Sequence, residues 1–353
     1  MPLRTLITAL LLFVASLLQA EPISYSRDVQ PILTAKCVAC HACYDAPCQL
    51  NLGSAEGLQR GASKVPVYDG GRTDEQATTR LFLDAHSEAA WRRKGFYSVL
   101  DTQGNQAALM TRMLKLGHAA PLAANAKLPA QLELSISRKN QCALPDEFAS
   151  YAAKRPAEGM PFAVTGLEPQ EYRTLQAWLA AGAPVEQQAL QPSASEVAQI
   201  ADWEALLNAS GARASLVSRW LYEHLFIAHL YFTGGEPGHF FQLVRSRTPS
   251  GQPIDPIATR RPNDDPGNNF YYRLWPVQGV IVHKTHITYG LNAQKLARVN
   301  ELFFSGNWTV AAVPGYGPTR RANPFATFAA IPAQARYQFM LDNAEYFVRT
   351  FIR

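Results

Sequence analysis

The stretch Cys37-Val38-Ala39-Cys40-His41 has the spacing C-x-x-C-H, which is the attachment site of a c-type haem. The two thiols are expected to add across the haem vinyl groups as thioethers, and the imidazole is expected to ligate the iron. A zinc site would need a second pair of ligands, and neither a second, separate C-x-x-C nor an H-x3-H follows. The motif therefore predicts haem c anchored through Cys37 and Cys40, with His41 as the first axial ligand.

The first twenty residues have the features of a cleavable secretory signal peptide. Arg4 supplies the positive charge, residues 6–18 form an apolar run, and small residues approach a cut after Ala20. The run is too short to cross a membrane as a helix. Export to the periplasm agrees with the haem motif, because bacteria attach haem covalently outside the cytoplasm.

The composition is that of a folded protein with a weak basic bias. Of the 353 residues 47% are apolar, and the formal net charge is +5, so a sizeable core can form. No basic stripe typical of nucleic-acid binding stands out. Neither a G-x-x-x-x-G-K phosphate loop nor a G-x-S-x-G nucleophile elbow occurs. Nucleic acids and nucleotide cofactors are therefore not expected as partners.

Met160 is the predicted second axial ligand of the iron. It precedes Pro161 in a loop that leads to an amphipathic helix over 170–181, and cytochromes c place their distal methionine in such a loop. A thioether ligand combined with an imidazole raises the reduction potential of the iron. His86, His118 and an open sixth position remain as alternatives.

Three cysteines lie outside the haem motif, namely Cys43, Cys48 and Cys142. In an oxidising compartment one pair of them can form a disulfide. Cys43 with Cys48 is the simplest pair, because these two residues flank a short turn. Three unpaired thiols are equally compatible with the sequence, since spacing cannot determine connectivity.

Two domains are expected after the signal peptide at 1–20. Residues 21–187 are predicted to form a mainly helical, cytochrome-c-like haem domain, and residues 188–200 a polar linker. Residues 201–353 mix helical and strand patterns, which predicts the start of an α+β second domain. The last helical pattern continues to Arg353 without a stop signal, which indicates a truncated chain.

Periodicity predicts the elements of the second domain. They are helices over 213–232, 293–304 and 332–352 and strands over 240–244 and 277–289. The second half of the first helix is apolar nearly all round, so it is expected to be buried or to face something apolar. On the second strand His283 and His286 would point to opposite faces, which argues against a shared metal.

Several segments, in order, resemble the bacterial fatty acid cis/trans isomerases, which are haem-containing periplasmic enzymes. Besides the exported leader and the haem motif, these segments are residues 25–32, 42–48, 220–226 and 270–276. The resemblance covers the whole mature chain. Members of that family look about twice as long, so this chain would be the N-terminal half.

The resemblance implies haem-dependent conversion of cis to trans double bonds in the acyl chains of membrane phospholipids. It also implies a peripheral contact with the membrane surface, and it implies that neither ATP nor nicotinamide is needed. We hypothesise that the haem iron weakens the π bond by drawing an electron from it transiently. His41 would then be catalytic, and the apolar helix 213–232 would line the acyl chain.

Two other functions are compatible with the haem motif. A periplasmic electron-transfer domain fits a His/Met iron site directly, and it predicts rapid redox exchange without any effect on lipids. A non-enzymatic binding module, in which haem is a sensor or a structural group, predicts a ligand-dependent spectrum without turnover. The electron-transfer function leaves the second domain, with its apolar helix, unexplained.

Overall fold

A computed structural model describes residues 21–67, 77–130, 132, 134, 139–186 and 189–352, so the predicted signal peptide lies outside the described residues. The described chain is α+β. Its α-helices are α1 (Gln30–Lys36), α2 (Ala55–Arg60), α3 (Glu88–Arg93), α4 (Leu109–Ala119), α5 (Phe148–Lys154), α6 (Pro169–Ala180), α7 (Ala194–Leu207), α8 (Ala212–Leu225), α9 (Ala293–Phe304), α10 (Pro318–Arg321), α11 (Pro324–Thr327) and α12 (Ala333–Ile352). Its strands are β1 (His229–Phe232), β2 (Phe241–Ser246), β3 (Tyr271–Pro276) and β4 (Thr288–Leu291).

The first hydrophobic core joins α1 to α4 and α6. Tyr25, in a π-helical turn before α1, packs on Trp178 of α6 with ring centroids 5.9 Å apart. Lys36, at the end of α1, donates a hydrogen bond to the Gly166 carbonyl at 3.0 Å and pairs with Glu171 at 3.5 Å. The helix that leads into the haem motif is thereby held against the helix that follows Met160. The buried apolar residues at this junction include Val29, Leu33, Leu109, Leu114, Leu175 and Trp178.

The second core surrounds a mixed sheet with the strand order β3-β2-β1-β4. β1 is antiparallel to β2 and parallel to β4. The predicted helix over 213–232 is wrong in its second half, because α8 ends at Leu225 and residues 229–232 form β1. Leu230 and Phe232, on one face of β1, are buried in the core, whereas His229 and Tyr231, on the other face, are half-buried.

The predicted strand over 277–289 is also wrong in most of its length. Only residues 288–291 are a strand, and residues 277–287 form a loop with a turn at 283–286. The helices predicted over 170–181, 293–304 and 332–352 and the strand over 240–244 are confirmed to within two residues at each end.

Residues 194–200 of the predicted linker belong to helix α7. Ser193 and Glu196 form a capping box, in which each side chain accepts a hydrogen bond from the other residue's backbone N–H. The polar residues that suggested a linker therefore begin a helix, and the irregular connection is shorter than predicted. The domain boundary itself stays a prediction.

Loop 277–287 connects the second core to the segment that follows the haem motif. The Val280 N–H donates to the Gly53 carbonyl at 2.9 Å. Gly279 has a φ of +153°, and a Cβ there would lie 3.1 Å from the same carbonyl oxygen, so only glycine allows this approach without strain. Of the helices that the structure describes, none has the length and apolar character needed to cross a bilayer.

Candidate haem site

A cavity of about 640 Å3 adjoins the haem motif, helix α4 and the loop around Met160. Its lining is mainly apolar and includes Leu50, Leu52, Val99, Leu109, Met110, Met113 and Leu114. The cavity is also lined by Cys37, Cys40, His41 and Met160. The four residues predicted to hold a haem are thus brought to one space, although 119 positions separate His41 from Met160 in the chain (160 − 41).

The His41 ring is oriented by the backbone. It is only 8% exposed, and its Nδ1 lies 3.2 Å from the Leu50 carbonyl oxygen. A carbonyl can only accept, so Nδ1 carries the proton and Nε2 is left with a free lone pair. Burial lowers the pKa of His41, against the opposing effect of the Leu50 carbonyl. The ring is therefore neutral near pH 7 and able to ligate a metal through Nε2.

The two motif cysteines lie in a tight turn at the end of α1. The backbone N–H groups of Cys40 and His41 both donate to the Cys37 carbonyl, at 3.1 and 2.9 Å. Burial, and secondarily the neighbouring Cys40, raises the pKa of Cys37 to about 12. Neither thiol is in a disulfide. Both remain chemically available for thioether bonds to a haem.

The backbone of Met160 is held against helix α4, and its side chain packs against the first core. Its N–H donates to the Met113 carbonyl at 3.0 Å. A Cβ on Gly117 would lie 2.1 Å from the Met160 carbonyl oxygen, so the loop and α4 are in direct backbone contact. Met113 lines the same cavity, as does Met110, and sequence reasoning did not single out either of them. Their three-residue spacing on the face of α4 that also carries Leu109 was the available signal.

The alternative histidine ligands are not among the residues that line the cavity. His118 instead stacks on Tyr172 of α6, with ring centroids 3.9 Å apart and planes at 8°. His86 acts electrostatically on Glu56. Within the described ranges, no group of three or more His, Cys, Asp and Glu side chains is arranged to hold a metal ion. The donor set that remains at the cavity, two thiols, an imidazole and a thioether, is the one that suits a c-type haem.

The disulfide connects Cys48 and Cys142, so the predicted pairing of Cys43 with Cys48 is wrong. The Cα atoms of the pair are 5.5 Å apart, a normal separation for a disulfide, and both residues line the cavity. Cys43 is a free thiol, and burial raises its pKa to about 12. Adjacency in sequence did not decide the pairing, because residues 140–143 are folded back onto the haem-motif side of the domain.

Charged side chains at the cavity are few. They are Lys36, Glu158 and Lys284. Lys36 is bonded to the Gly166 carbonyl and to Glu171, and Glu158 pairs with Arg155 at 2.8 Å. Lys284 comes from loop 277–287, far along the chain.

A family model for fatty acid cis/trans isomerases matches residues 76–353. The chain belongs to the fatty acid cis/trans isomerase family. In this isomerase-family chain the matched region contains α4, the Met160 loop, loop 277–287 and the whole sheet, whereas the haem motif precedes it. No curated protein and no solved structure matched the chain.

Proposed function

We propose that the chain is a haem-dependent periplasmic isomerase that converts cis double bonds of membrane phospholipid acyl chains to trans. The observation that supports this most directly is the cavity that joins Cys37, Cys40, His41 and Met160 in a member of the isomerase family. The first domain would be a cytochrome-c-like haem domain. The membrane contact would be peripheral.

Four residues of the site would bind the cofactor, each in a different way. Cys37 and Cys40 would bind it covalently, His41 would ligate the iron through Nε2, and Met160 would supply the sixth ligand. A haem bound here would supply an iron centre able to withdraw electron density transiently from a cis double bond, which lowers the barrier to rotation. The apolar lining from α4 would disfavour water around the cofactor, and the Leu50 carbonyl holds the imidazole in one orientation.

The test uses the full chain produced with the machinery for c-type haem attachment. Haem-loaded protein is incubated with liposomes of a cis-unsaturated phosphatidylcholine, and the acyl chains are analysed by gas chromatography. We expect trans product with no change in total unsaturation. His41→Ala should abolish this activity, whereas His118→Ala, which changes a histidine outside the cavity, should retain it.

A haem-loaded protein that gives no trans product would contradict the proposal. One observation favours an electron-transfer domain as the second candidate, namely that an imidazole and a thioether line the same cavity. That function predicts rapid reduction and reoxidation by a small redox protein and unchanged lipids in the same assay.

A further inference from the structure

Loop 277–287, from the second part of the chain, contributes Lys284 to the lining of the haem cavity. It is attached at its start by the Val280–Gly53 hydrogen bond and by Gln278, whose side-chain oxygen accepts from the Leu190 N–H at 2.9 Å. At its end, the His286 ring lies close enough to the Ala42 backbone, one residue after His41, for that backbone to oppose the lowering of the His286 pKa by burial. The loop is therefore attached at its start and lies near the haem motif at its end, which places Lys284 beside the cavity.

Lys284 lies between Val280 and His286 and reaches the cavity. Its side chain is exposed to solvent, and the residue lines the cavity beside an otherwise largely apolar surface. Within the part of the chain that the structure describes, no ion pair or hydrogen bond of the ammonium group is found. The other cavity lysine, Lys36, already has two oxygen partners. Among the described residues, Lys284 is therefore the cavity lysine whose ammonium group can still pair with an anion, and it lies at the exposed edge of an apolar space.

We propose that Lys284 binds a carboxylate at the mouth of the haem cavity. The inference rests on the proposed function, because it requires an amphipathic ligand in the cavity. Two such ligands carry carboxylates on an apolar body, namely the haem itself and a free fatty acid. An ammonium at a solvent-accessible mouth suits this role, since it forms a charge-assisted hydrogen bond while the apolar body is buried. Lys284 would be a positioning residue, supplied to the haem by the family-specific part of the chain.

The experiment compares the haem-loaded full chain with Lys284→Gln, Lys284→Arg and the control Lys94→Gln, which removes an equal charge from helix α3's C-terminal end. The first measurement is a redox titration without lipid. If Lys284 pairs with a haem carboxylate, Lys284→Gln lowers the midpoint potential, because less positive charge remains to favour the reduced iron. Lys284→Arg should keep the wild-type value, and so should Lys94→Gln.

The second measurement is the binding of oleate and of methyl oleate, followed by the haem absorption spectrum. If Lys284 pairs with the fatty acid, Lys284→Gln weakens oleate binding by up to about fivefold, the effect of one partly exposed ion pair. Methyl oleate, which has no charge, should bind all variants equally. A change in either measurement supports the carboxylate site and identifies its source.

The proposal is overturned if Lys284→Gln behaves as wild type in both measurements, or if Lys94→Gln changes them to the same extent. These results leave the isomerase proposal intact as long as the wild-type protein binds haem and gives trans lipid. Wild-type protein without haem would instead contradict the proposed function, and the absorption spectrum shows this before any variant is compared.

Discussion

The protonation state of His41 is set by its neighbours in the folded protein and not only by the motif to which it belongs. The motif spacing predicts the ligand, but the Leu50 carbonyl determines which ring nitrogen carries the proton. Burial then keeps the ring neutral by lowering its pKa. Both conditions are needed for a metal-ligating imidazole, because a protonated ring has no lone pair to donate.

His229 is the residue at which we expect acid to destabilise the fold most clearly. Its Nδ1 is buried without a partner among the described residues, and burial, with a smaller effect of His286, lowers its pKa to about 3. Between pH 6.5 and 3 the unfolded chain binds a proton that the folded chain does not, so stability falls as the pH falls. The loss from this group approaches about 1.4 kcal/mol per pH unit.

Denaturant unfolding at pH 7 and pH 5 measures this effect. The stability lost between the two pH values should be smaller in His229→Gln than in wild type, because glutamine does not titrate. His118→Gln serves as the control and should lose as much stability as wild type. An equal loss in all three proteins would show that His229 is not an acid-sensitive group.

At the scale of elements, the contact between α4 and the Met160 loop determines where the predicted sixth ligand lies. Helix α4 presents Gly117 to the loop, and the two backbones touch there. The sequence indicated Met160 from its loop and the helix that follows. It did not indicate the partner helix, because residues 113 and 160 become neighbours only when the chain folds.

Gly117→Ala is expected to separate α4 from the Met160 loop. The added Cβ would lie 2.1 Å from the Met160 carbonyl oxygen, so one backbone must move, at a cost of about 1–3 kcal/mol. We expect a lower melting temperature and loss of the absorption band of methionine-ligated haem. Gly315→Ala is the control, since a Cβ there meets nothing within 4 Å. A wild-type spectrum and melting temperature in Gly117→Ala would show that this contact does not position Met160.

The two wrong predictions in the second domain have one physical origin. Residues 229–232 continue the apolar pattern of α8, and residues 277–287 are rich in strand-forming residues, so local preference favours helix in the first and strand in the second. The tertiary structure decides otherwise, because β1 pairs with strands on both edges, whereas Val280 of loop 277–287 bonds to Gly53 instead of to a strand. A short apolar run does not distinguish these outcomes.

At the scale of the whole molecule, the Cys48–Cys142 disulfide joins segments 94 residues apart at the cavity beside the C-x-x-C-H motif. A crosslink that closes a long loop restricts the unfolded chain, and its removal typically costs about 2–4 kcal/mol. We therefore expect Cys48→Ser/Cys142→Ser to lower the free energy of unfolding by that amount, measured in denaturant without reductant. Cys43→Ser, which removes a free thiol, should change it little.

The outcome that would contradict this prediction is equal stability of the double variant and Cys43→Ser. Adding reductant provides a second check. It should bring the wild-type protein down to the stability of the double variant and leave the variant itself unchanged.

The sequence by itself determined the haem motif, the candidate Met160, most helix positions and the resemblance to the isomerase family. These follow from local spacing and periodicity, which do not depend on contacts between distant parts of the chain. Only the tertiary structure decided the disulfide pairing, the strand at 229–232 and the placement of Met113 and Lys284 at the cavity. Each of these depends on contacts between residues far apart in the chain, and such contacts form only when burial of the two cores brings the segments together.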